Sequence, residues 1–404
     1  MAKILVLNAG SSSIKFQLFE MDRQEVEASG LVERIGEPRG RVNYRKFQNG
    51  QEQYETTIEE AITDHQQGLN AIGQLLLDQE NGALKNAGEL QAVGHRVVHG
   101  AELFSEPVLI TDEILAKLRE ISFLAPLHNP ANLKGIEVSK RVFPKAYQIA
   151  VFDTAFHQTL PDYAYRFPIP GKFYSEHGLR VYGFHGTSHA FVSRAAADHL
   201  RKPLSEFNAI TLHLGNGCSA AAIKGGKSVD VSMGLTPLGG LIMGTRSGDI
   251  DPSLCLFMAD HLGMTTSEID KTLNKESGLK GLTGDNDLRN ILAAYENGVE
   301  DARLAIEMYT YRIKKYVGAY IAALGRVDAL IFTAGVGENS ALIRRLVCQE
   351  MEVLGLSLDH EQNDLRSAGI RLINKPSGSV KILVVPTNEE LEIATQSMAL
   401  LNGN

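Results

Sequence analysis

The 404-residue sequence has no tryptophan and only three cysteines. Cys218, Cys255 and Cys348 are scattered, odd in number and outside any C-x-x-C pair, which argues against a disulfide framework and a thiolate zinc site. The formal net charge is −8, so the chain lacks the basic excess typical of nucleic-acid binding. No apolar run approaches the roughly 20 residues of a membrane-spanning helix, and the run ILVL before Asn8 is too short for a signal peptide. These absences predict a soluble cytoplasmic protein with small-molecule partners, and neither nucleic acid nor membrane among them.

The common glycine-rich nucleotide loops are also missing. The string nearest to a Walker A loop, GGKS (225–228), has Ala221 where the first glycine is required, and it is typical of a plain turn. The string GLKGLTG (278–284) has the wrong spacing for a dinucleotide fingerprint. A nucleotide would therefore bind through hairpins and through turns such as TAGVGEN (333–339), whose N–H groups could surround an anion.

Two similar segments lie in opposite halves of the chain. LNAGSSSIKFQL (7–18) and HLGNGCSAAAIK (213–224) both indicate a strand, a glycine-containing turn with a small hydroxyl residue, and a second strand. One interpretation is coincidence, because many hairpins contain glycine and serine. The other is a duplicated domain, with two equivalent phosphate-binding hairpins facing each other across a cleft.

The remaining pattern predicts a mixed α/β protein of two domains, or three. Helices are expected at 114–121, 131–143 and 301–324, and strands within 42–58, at 147–153, within 202–232 and at 328–339. A strand, a turn and a closing helix are expected over 380–401.

Histidine and arginine residues indicate where chemistry could occur. Nine of the twelve histidines lie between His95 and His213, which suggests a zinc site, structural caps of buried turns, or a site for anionic substrates. Arg96 lies in the apolar string GHRVVHG, where a buried guanidinium needs a carboxylate or phosphate partner. Together with Arg246 in a glycine-flanked loop and with Asp153, these residues suggest phosphoryl transfer.

Ten motifs, in chain order, resemble those of the acetokinase family: NAGSSSIKF, GHRVVHG, PLHNP, FDTAFHQTLP, YGFHGTSH, HLGNG, SMGLTP, MGTRSGDIDP, KESGL and PTNEE. They extend from residue 8 to residue 390, nearly the whole chain. The resemblance implies the duplicated actin-like ATPase fold of the sugar kinase, actin and heat-shock chaperone superfamily, an α/β fold of two ribonuclease-H-like domains with an interdomain active-site cleft. The N-terminal domain would comprise 1–152 plus 390–404, and the C-terminal nucleotide-binding domain 153–389.

The same resemblance implies an activity. It is the reversible, Mg²⁺-dependent transfer of the γ-phosphoryl group of ATP to acetate, giving acetyl phosphate and ADP, with Mn²⁺ as an alternative metal and a homodimer as the usual assembly. Propionate kinase is the alternative within this chemistry. A nucleotide-switched ATPase resembling actin or the chaperones, and a histidine metallohydrolase, are the competing classes.

Roles follow from motif matches at individual positions. By this match Asp153 is the catalytic aspartate, while His185 and Arg246 stabilise the transition state. Arg96 would bind the substrate carboxylate. The pocket for the acyl methyl group would consist of Val98, Leu127, Phe184 and Pro237, and the Mg²⁺ site, through water, of Asn8 and Glu389. The nucleotide contacts would be Lys15, His213, Leu214, Gly215, Asn216, Gly217, Asp287, Leu288, Arg289, Gly335, Val336, Gly337, Glu338 and Asn339.

The sequence departs from the family pattern at three places. Ala101 stands where the family usually has a second glycine after HG, and Gly239 stands where it usually has glutamate. The segment 283–290 is slightly shorter than usual, which affects the assignment of Asp287 and Arg289.

Overall fold

The computed structural model describes residues 2–126 and 128–403. The chain forms two compact units, Met1–Ala155 with Asn388–Asn404, and Phe156–Thr387. The predicted domain limits, 1–152 with 390–404 and 153–389, differ from these bounds by only a few residues.

The first unit contains a mixed sheet of eight strands. They are β1 (Lys3–Ala9), β2 (Ser13–Glu20), β3 (Glu25–Glu33), β4 (Gly40–Gln48), β5 (Gln51–Glu60), β6 (Leu90–Val97), β7 (Val108–Leu109) and β8 (Tyr147–Phe152). Their order is β5-β4-β3-β2-β1-β6-β8-β7, and β1, β6 and β8 are parallel.

Helices cover both faces of this sheet. They are α1 (His65–Leu76), α2 (Asp112–Glu120), α3 (Asn129–Val142) and the C-terminal helix (Glu389–Gly403). Because side chains alternate along a strand, Leu5 and Leu7 of β1 belong to the core that includes α1, whereas Ile4 and Val6 pack with Ile393 of the C-terminal helix. The run ILVL is therefore buried on both sides, as in parallel sheets covered by helices.

The second unit contains a six-stranded mixed sheet. Its strands are β9 (Asn208–Leu214), β10 (Cys218–Lys224), β11 (Lys227–Val231), β12 (Ala329–Thr333), β13 (Arg371–Leu372) and β14 (Lys381–Val384), in the order β11-β10-β9-β12-β14-β13. Its helices are α4 (Asp162–Tyr165), α5 (Lys172–His177), α6 (Gly186–His199), α7 (Ser253–Leu262), α8 (Thr266–Lys275), α9 (Gly278–Thr283), α10 (Leu288–Glu296), α11 (Glu300–Leu324), α12 (Ala334–Asn339), α13 (Ala341–Cys348) and α14 (His360–Asp364). Short 3₁₀ helices connect several elements in both units.

The two sheets have the same core topology, which confirms the predicted α/β fold and its duplication. In each, three antiparallel strands are followed by two parallel ones, β3-β2-β1-β6-β8 and β11-β10-β9-β12-β14. The turns of the equivalent hairpins close similarly. The N–H of Gly10 donates to the carbonyl of Ser13 at 2.8 Å, and that of Gly215 to the carbonyl of Gly217 at 3.0 Å.

One secondary-structure prediction is wrong. The strand expected over 328–339 ends at Thr333, and the TAGVGEN segment continues as helix α12 rather than as an open turn. The long helix expected over 301–324 is present as α11. Among the helices of the described ranges, none combines the length and apolar character that crossing a bilayer demands.

Candidate active site

The carboxyl ends of three parallel strands in the first unit carry predicted site residues. Asn8 lies near the end of β1, Arg96 near the end of β6, and Asp153 directly after β8. In open α/β sheets, ligands commonly bind at this edge.

Arg96 and Asp153 form a bidentate ion pair there. Arg96 Nε lies 3.0 Å and 3.1 Å from the two carboxylate oxygens, and Nη2 lies 2.7 Å from Oδ2. Asp153 is 1% exposed, and its burial raises the pKa of its carboxyl group, a shift that the guanidinium opposes. Burial lowers the pKa of Arg96, but the nearby carboxylates outweigh it and leave that pKa raised overall. The carboxylate or phosphate partner expected for Arg96 is therefore the neighbouring predicted residue, Asp153.

The C-terminal helix brings two glutamates to the same edge. Glu389 Oε2 lies 3.9 Å from Arg96 Nη1. Lys15 is the register partner of Asn8 across the β1–β2 hairpin, and its Nζ lies 2.5 Å from Glu390 Oε1. The sequence predicts a role for Glu389 but none for Glu390, although the two glutamates are adjacent in PTNEE.

The residues at this edge fit a magnesium ion. Asn8 is partly exposed, and its side chain makes no hydrogen bond within residues 2–126 and 128–403. Mg²⁺ is usually held by one or two carboxylates together with substrate phosphates and water, a donor set that Asn8 and Glu389 could complete. The described residues contain no group of three or more His, Cys, Asp or Glu that could hold a metal by itself.

Val98 follows β6, and Asn132 of α3 fixes its backbone. Asn132 Oδ1 accepts from the N–H of Val98 at 3.1 Å, while its Nδ2 donates to the carbonyl of Ala9 at 2.8 Å. Asn132 thus links the ends of β6 and β1, a role that its sequence did not reveal. Leu127, the second predicted residue of the acyl pocket, lies outside the described residues.

In the second unit, four histidine rings form a cluster with serine and threonine hydroxyl groups. The rings of His185 and His213 stack with centroids 4.2 Å apart, and His189 lies 6.3 Å from His213 and 5.7 Å from His157. His157 Nδ1 contacts Ser228 Oγ at 2.8 Å, and its Nε2 donates to the carbonyl of Phe184 at 3.1 Å. Burial lowers the pKa of His157 to about 4. Phe184, from the predicted acyl pocket, is itself buried.

Arg246 lies close to His185 and to the β9–β10 hairpin. A Cβ placed on Gly217 would lie 3.4 Å from His185 Nε2 and 3.8 Å from Arg246 Nη1. Arg246 Nη1 also donates to the carbonyl of Pro237 at 3.0 Å. Burial lowers the pKa of Arg246, and no carboxylate of the described chain forms an ion pair with it. A partly buried guanidinium without a carboxylate suits an anionic ligand.

Two of the three predicted nucleotide segments line one cavity of about 1000 Å³. From these segments, the lining contains Leu288, Arg289, Gly335, Val336, Glu338 and Asn339. The third segment, His213–Gly217, lies at the β9–β10 turn and does not line this cavity. Asp287 caps α10, and its ion pair with Arg289, 2.6 Å from Nη2 to Oδ2, lowers the pKa of Asp287 to about 2.

The chain is similar to known proteins over nearly its whole length. The model of the acetokinase family matches residues 3–395. An acetate kinase of Oleidesulfovibrio alaskensis is 50% identical over 400 residues, covering 99% of this chain and 100% of the relative. The crystal structure of Porphyromonas gingivalis acetate kinase superposes with a TM-score of 0.93 at 46% identity, covering 99% and 100% of the two chains. The crystal structure of a propionate kinase from Francisella tularensis superposes with a TM-score of 0.91 at 41% identity, covering 98% of this chain and 99% of that chain.

Proposed function

Because the chain belongs to the acetokinase family, we propose that it transfers the γ-phosphoryl group of ATP reversibly to acetate, giving acetyl phosphate and ADP. It is thus a phosphotransferase whose acceptor is a carboxyl group. Propionate kinase is not favoured, because relatives at about 50% identity are named acetate kinase, whereas the propionate kinase structure is 41% identical.

The observation that carries the proposal is the position of Arg246. Its guanidinium has no carboxylate partner among the described residues and lies beside His185 Nε2 and Gly217 of a phosphate-type hairpin. Donors held in a site away from water stabilise charge that develops on a phosphoryl group, which is the main demand of phosphoryl transfer. Arg246 and His185 would therefore act on the equatorial oxygens of that group.

Acetate needs no base to become a nucleophile. A carboxylic acid has a pKa of roughly 4, so acetate is ionised at neutral pH. The carboxylate of Asp153 is already engaged by two nitrogens of Arg96. This supports an orienting role for Asp153, which would hold the guanidinium of Arg96 toward the substrate carboxylate, over proton abstraction.

We propose that Asn8 and Glu389 hold Mg²⁺, with Lys15 contributing to phosphate binding. The metal, when bound, would neutralise charge on the phosphates of ATP. Lys15 already has an acidic partner in Glu390, so nucleotide binding would replace one ion pair by another. The 1000 Å³ cavity lined by 288–289 and parts of 335–339 would take the remainder of the nucleotide.

A homodimer is the assembly that we propose. Helix α7 has no buried residue, and four of its large apolar side chains are 43–66% exposed: Leu254, Leu256, Phe257 and Leu262. Apolar exposure concentrated on one helix is typical of an interaction surface. We also propose a cytoplasmic location, since all three cysteines are free thiols.

The test is ADP release from ATP and Mg²⁺ with acetate, propionate, butyrate or no acid. We expect turnover that requires an acid and is fastest with acetate, and chelation of the metal should abolish it. Equal ADP release without acid would instead support a nucleotide-switched ATPase. A higher kcat/KM for propionate than for acetate would overturn the proposed acceptor.

A further inference from the structure

The side chain of Ser219 bridges two histidines. Its Oγ lies 2.9 Å from His185 Nδ1 and 2.7 Å from His189 Nε2. The other nitrogen of His189, Nδ1, lies 2.7 Å from Thr211 Oγ1. Ser219, His189 and Thr211 are all fully buried, so the two hydrogen bonds of His189 are protected from water. The result is a continuous chain from Thr211 through His189 and Ser219 to His185.

The ring of His185 is constrained on its other sides as well. The residue has a left-handed backbone, with φ of 56°, at the start of α6. Its ring stacks on His213, whose Nδ1 lies 2.8 Å from Ser188 Oγ, and that hydroxyl in turn lies 2.9 Å from Thr387 Oγ1. A non-glycine residue in this conformation is uncommon, and such strain is often found at functional sites.

The hydrogen-bond chain also restricts where protons can be. Burial, together with His157 and His213, holds the pKa of His189 well below its ordinary value, so its ring is neutral and carries one N–H. The Ser219 hydroxyl has a single proton, so it can donate to one histidine only and must accept from the other. If His189 Nε2 donates to Ser219, then Ser219 donates to His185 Nδ1, and a neutral His185 carries its proton on Nε2.

We propose that Ser219 is a positioning residue for His185, holding the ring in place and keeping its proton on Nε2, the atom beside Gly217 and Arg246. The proposal rests on the proposed function, because an Nε2–H is the form that can donate to an anionic phosphoryl oxygen. Ser219 is fully buried, and its hydroxyl contacts two histidine rings. Its effect is transmitted through the orientation and the tautomer of another side chain.

The first test is kinetic. Ser219→Ala should lower kcat by about 10- to 100-fold, since misplacing a catalytic group by about 1 Å can cost that much. The KM values for ATP and acetate should change by less than about threefold, because Ser219 is fully buried and would act through His185. A rise in KM with unchanged kcat would contradict the positioning role.

Ser228→Ala is the matched control. Ser228 is equally buried, and its hydroxyl contacts a ring nitrogen of His157, so removing it leaves a comparable unpaired histidine nitrogen. We expect a similar loss of stability but kcat within about threefold of wild type. Equal losses of kcat in both variants would mean that general loosening of the unit explains the effect, and would overturn the proposal.

The second test does not depend on activity. Nitrogen NMR of ¹⁵N-histidine-labelled wild-type protein should show His185, assigned with His185→Gln, protonated on Nε2 and not on Nδ1. Ser219→Ala should lose that preference. A wild-type ring protonated only on Nδ1 would refute the proposal even if Ser219→Ala does not fold. The proposed function would fail separately, through absence of acetate-dependent turnover in the wild type.

Discussion

At the scale of single residues, the assignment with the largest expected effect is Arg246. Its Nη1 and His185 Nε2 both lie within 4 Å of the Cβ position of Gly217, and no carboxylate among the described residues neutralises it. Arg246→Ala should lower kcat by two to three orders of magnitude, or about 3–4 kcal/mol of transition-state stabilisation. Steady-state kinetics with saturating ATP and acetate measure this loss.

Arg326→Ala provides the comparison for that experiment. The guanidinium of Arg326 also donates to a backbone carbonyl, that of Glu206 at 2.7 Å. However, Arg326 lies in the loop between α11 and β12, and its side chain is 64% exposed. Its kcat should stay within about twofold of wild type. If kcat of Arg246→Ala fell by less than tenfold, the role assigned to Arg246 would be wrong.

Ala101 offers a prediction about stability. Its φ is 50°, a left-handed conformation that costs an alanine roughly 1–2 kcal/mol and a glycine almost nothing. Ala101→Gly should raise the free energy of unfolding by about 0.5–1 kcal/mol. This net gain is the backbone strain that is relieved, minus the stability that is lost because glycine makes the unfolded chain more flexible. Urea unfolding measures the change.

Gly239→Ala is the converse substitution. An added Cβ would meet its nearest atom, Asp249 Oδ1, at an ordinary 3.6 Å, and the backbone is not left-handed. Here alanine should stabilise by about 0.4–1 kcal/mol, because it restricts the unfolded chain. A destabilised Ala101→Gly together with a stabilised Gly239→Ala would show that Ala101 gains more from its buried methyl group than it loses in strain.

At the scale of elements, the β1–β2 hairpin is held by a residue that is distant in sequence. His65, at the start of α1, is 6% exposed, and its Nε2 donates to the carbonyl of Gly10 at 2.7 Å. Losing this bond should loosen the turn that carries Ser11 to Ser13. His65→Ala is therefore expected to raise the KM for ATP about fivefold, equivalent to about 1 kcal/mol, with a smaller change in kcat.

The neighbouring Gln66 is the control for that hairpin prediction. It lies on the exposed side of α1 and bonds to Arg141 rather than to the hairpin. Gln66→Ala should leave the KM for ATP unchanged. An unchanged KM in His65→Ala as well would mean that the hairpin keeps its shape without the link.

Elements with strong sequence periodicity could be predicted, whereas those made by tertiary contacts could not. The long helix α11 has apolar residues at helical spacing, and its bounds agree with the prediction. Helix α12 contains two glycines, which disfavour helix, and it is held by buried Arg344, which donates to the carbonyls of Gly337 and Glu338 at 2.9 Å and 3.0 Å. The TAGVGEN sequence itself contains no pattern that predicts these hydrogen bonds from Arg344.

The same distinction holds for the site. Arg96 could be singled out because a guanidinium in an apolar string requires a partner, and that partner is present. Ser219, Glu390 and Asn132 are ordinary polar residues whose importance comes from the side chains that they contact. Ser219 is 34 positions from His185 in sequence, so only the fold brings the two together.

At the scale of the whole molecule, buried histidines should make stability depend on pH. Burial lowers the pKa values of His95, His99 and His157 to about 4, and that of His189 well below the ordinary value. In the unfolded chain these groups take up protons near pH 6.5, while the folded protein resists them. Stability is therefore full above about pH 6.5 and declines toward pH 4, by up to about 1.4 kcal/mol per pH unit for each histidine.

Urea unfolding between pH 7.5 and pH 5 measures this dependence. The urea concentration at the unfolding midpoint should decrease as the pH is lowered from about 6.5. The raised pKa values of Asp153 and Asp230 act in the opposite sense, but they are two groups against four. His95→Gln should reduce the slope, because it removes one of the titrating groups. A midpoint that stays constant or rises toward pH 5 would show that these histidines are not buried in their neutral form.

The central claim is that ATP and acetate react directly to form an acyl phosphate. The most direct measurement is the reaction with ATP, Mg²⁺ and acetate in the presence of hydroxylamine, which converts acetyl phosphate to acetyl hydroxamate. We predict hydroxamate in a one-to-one ratio with ADP, and neither product above background without acetate. ADP formed without hydroxamate, at a rate independent of acetate, would contradict the account.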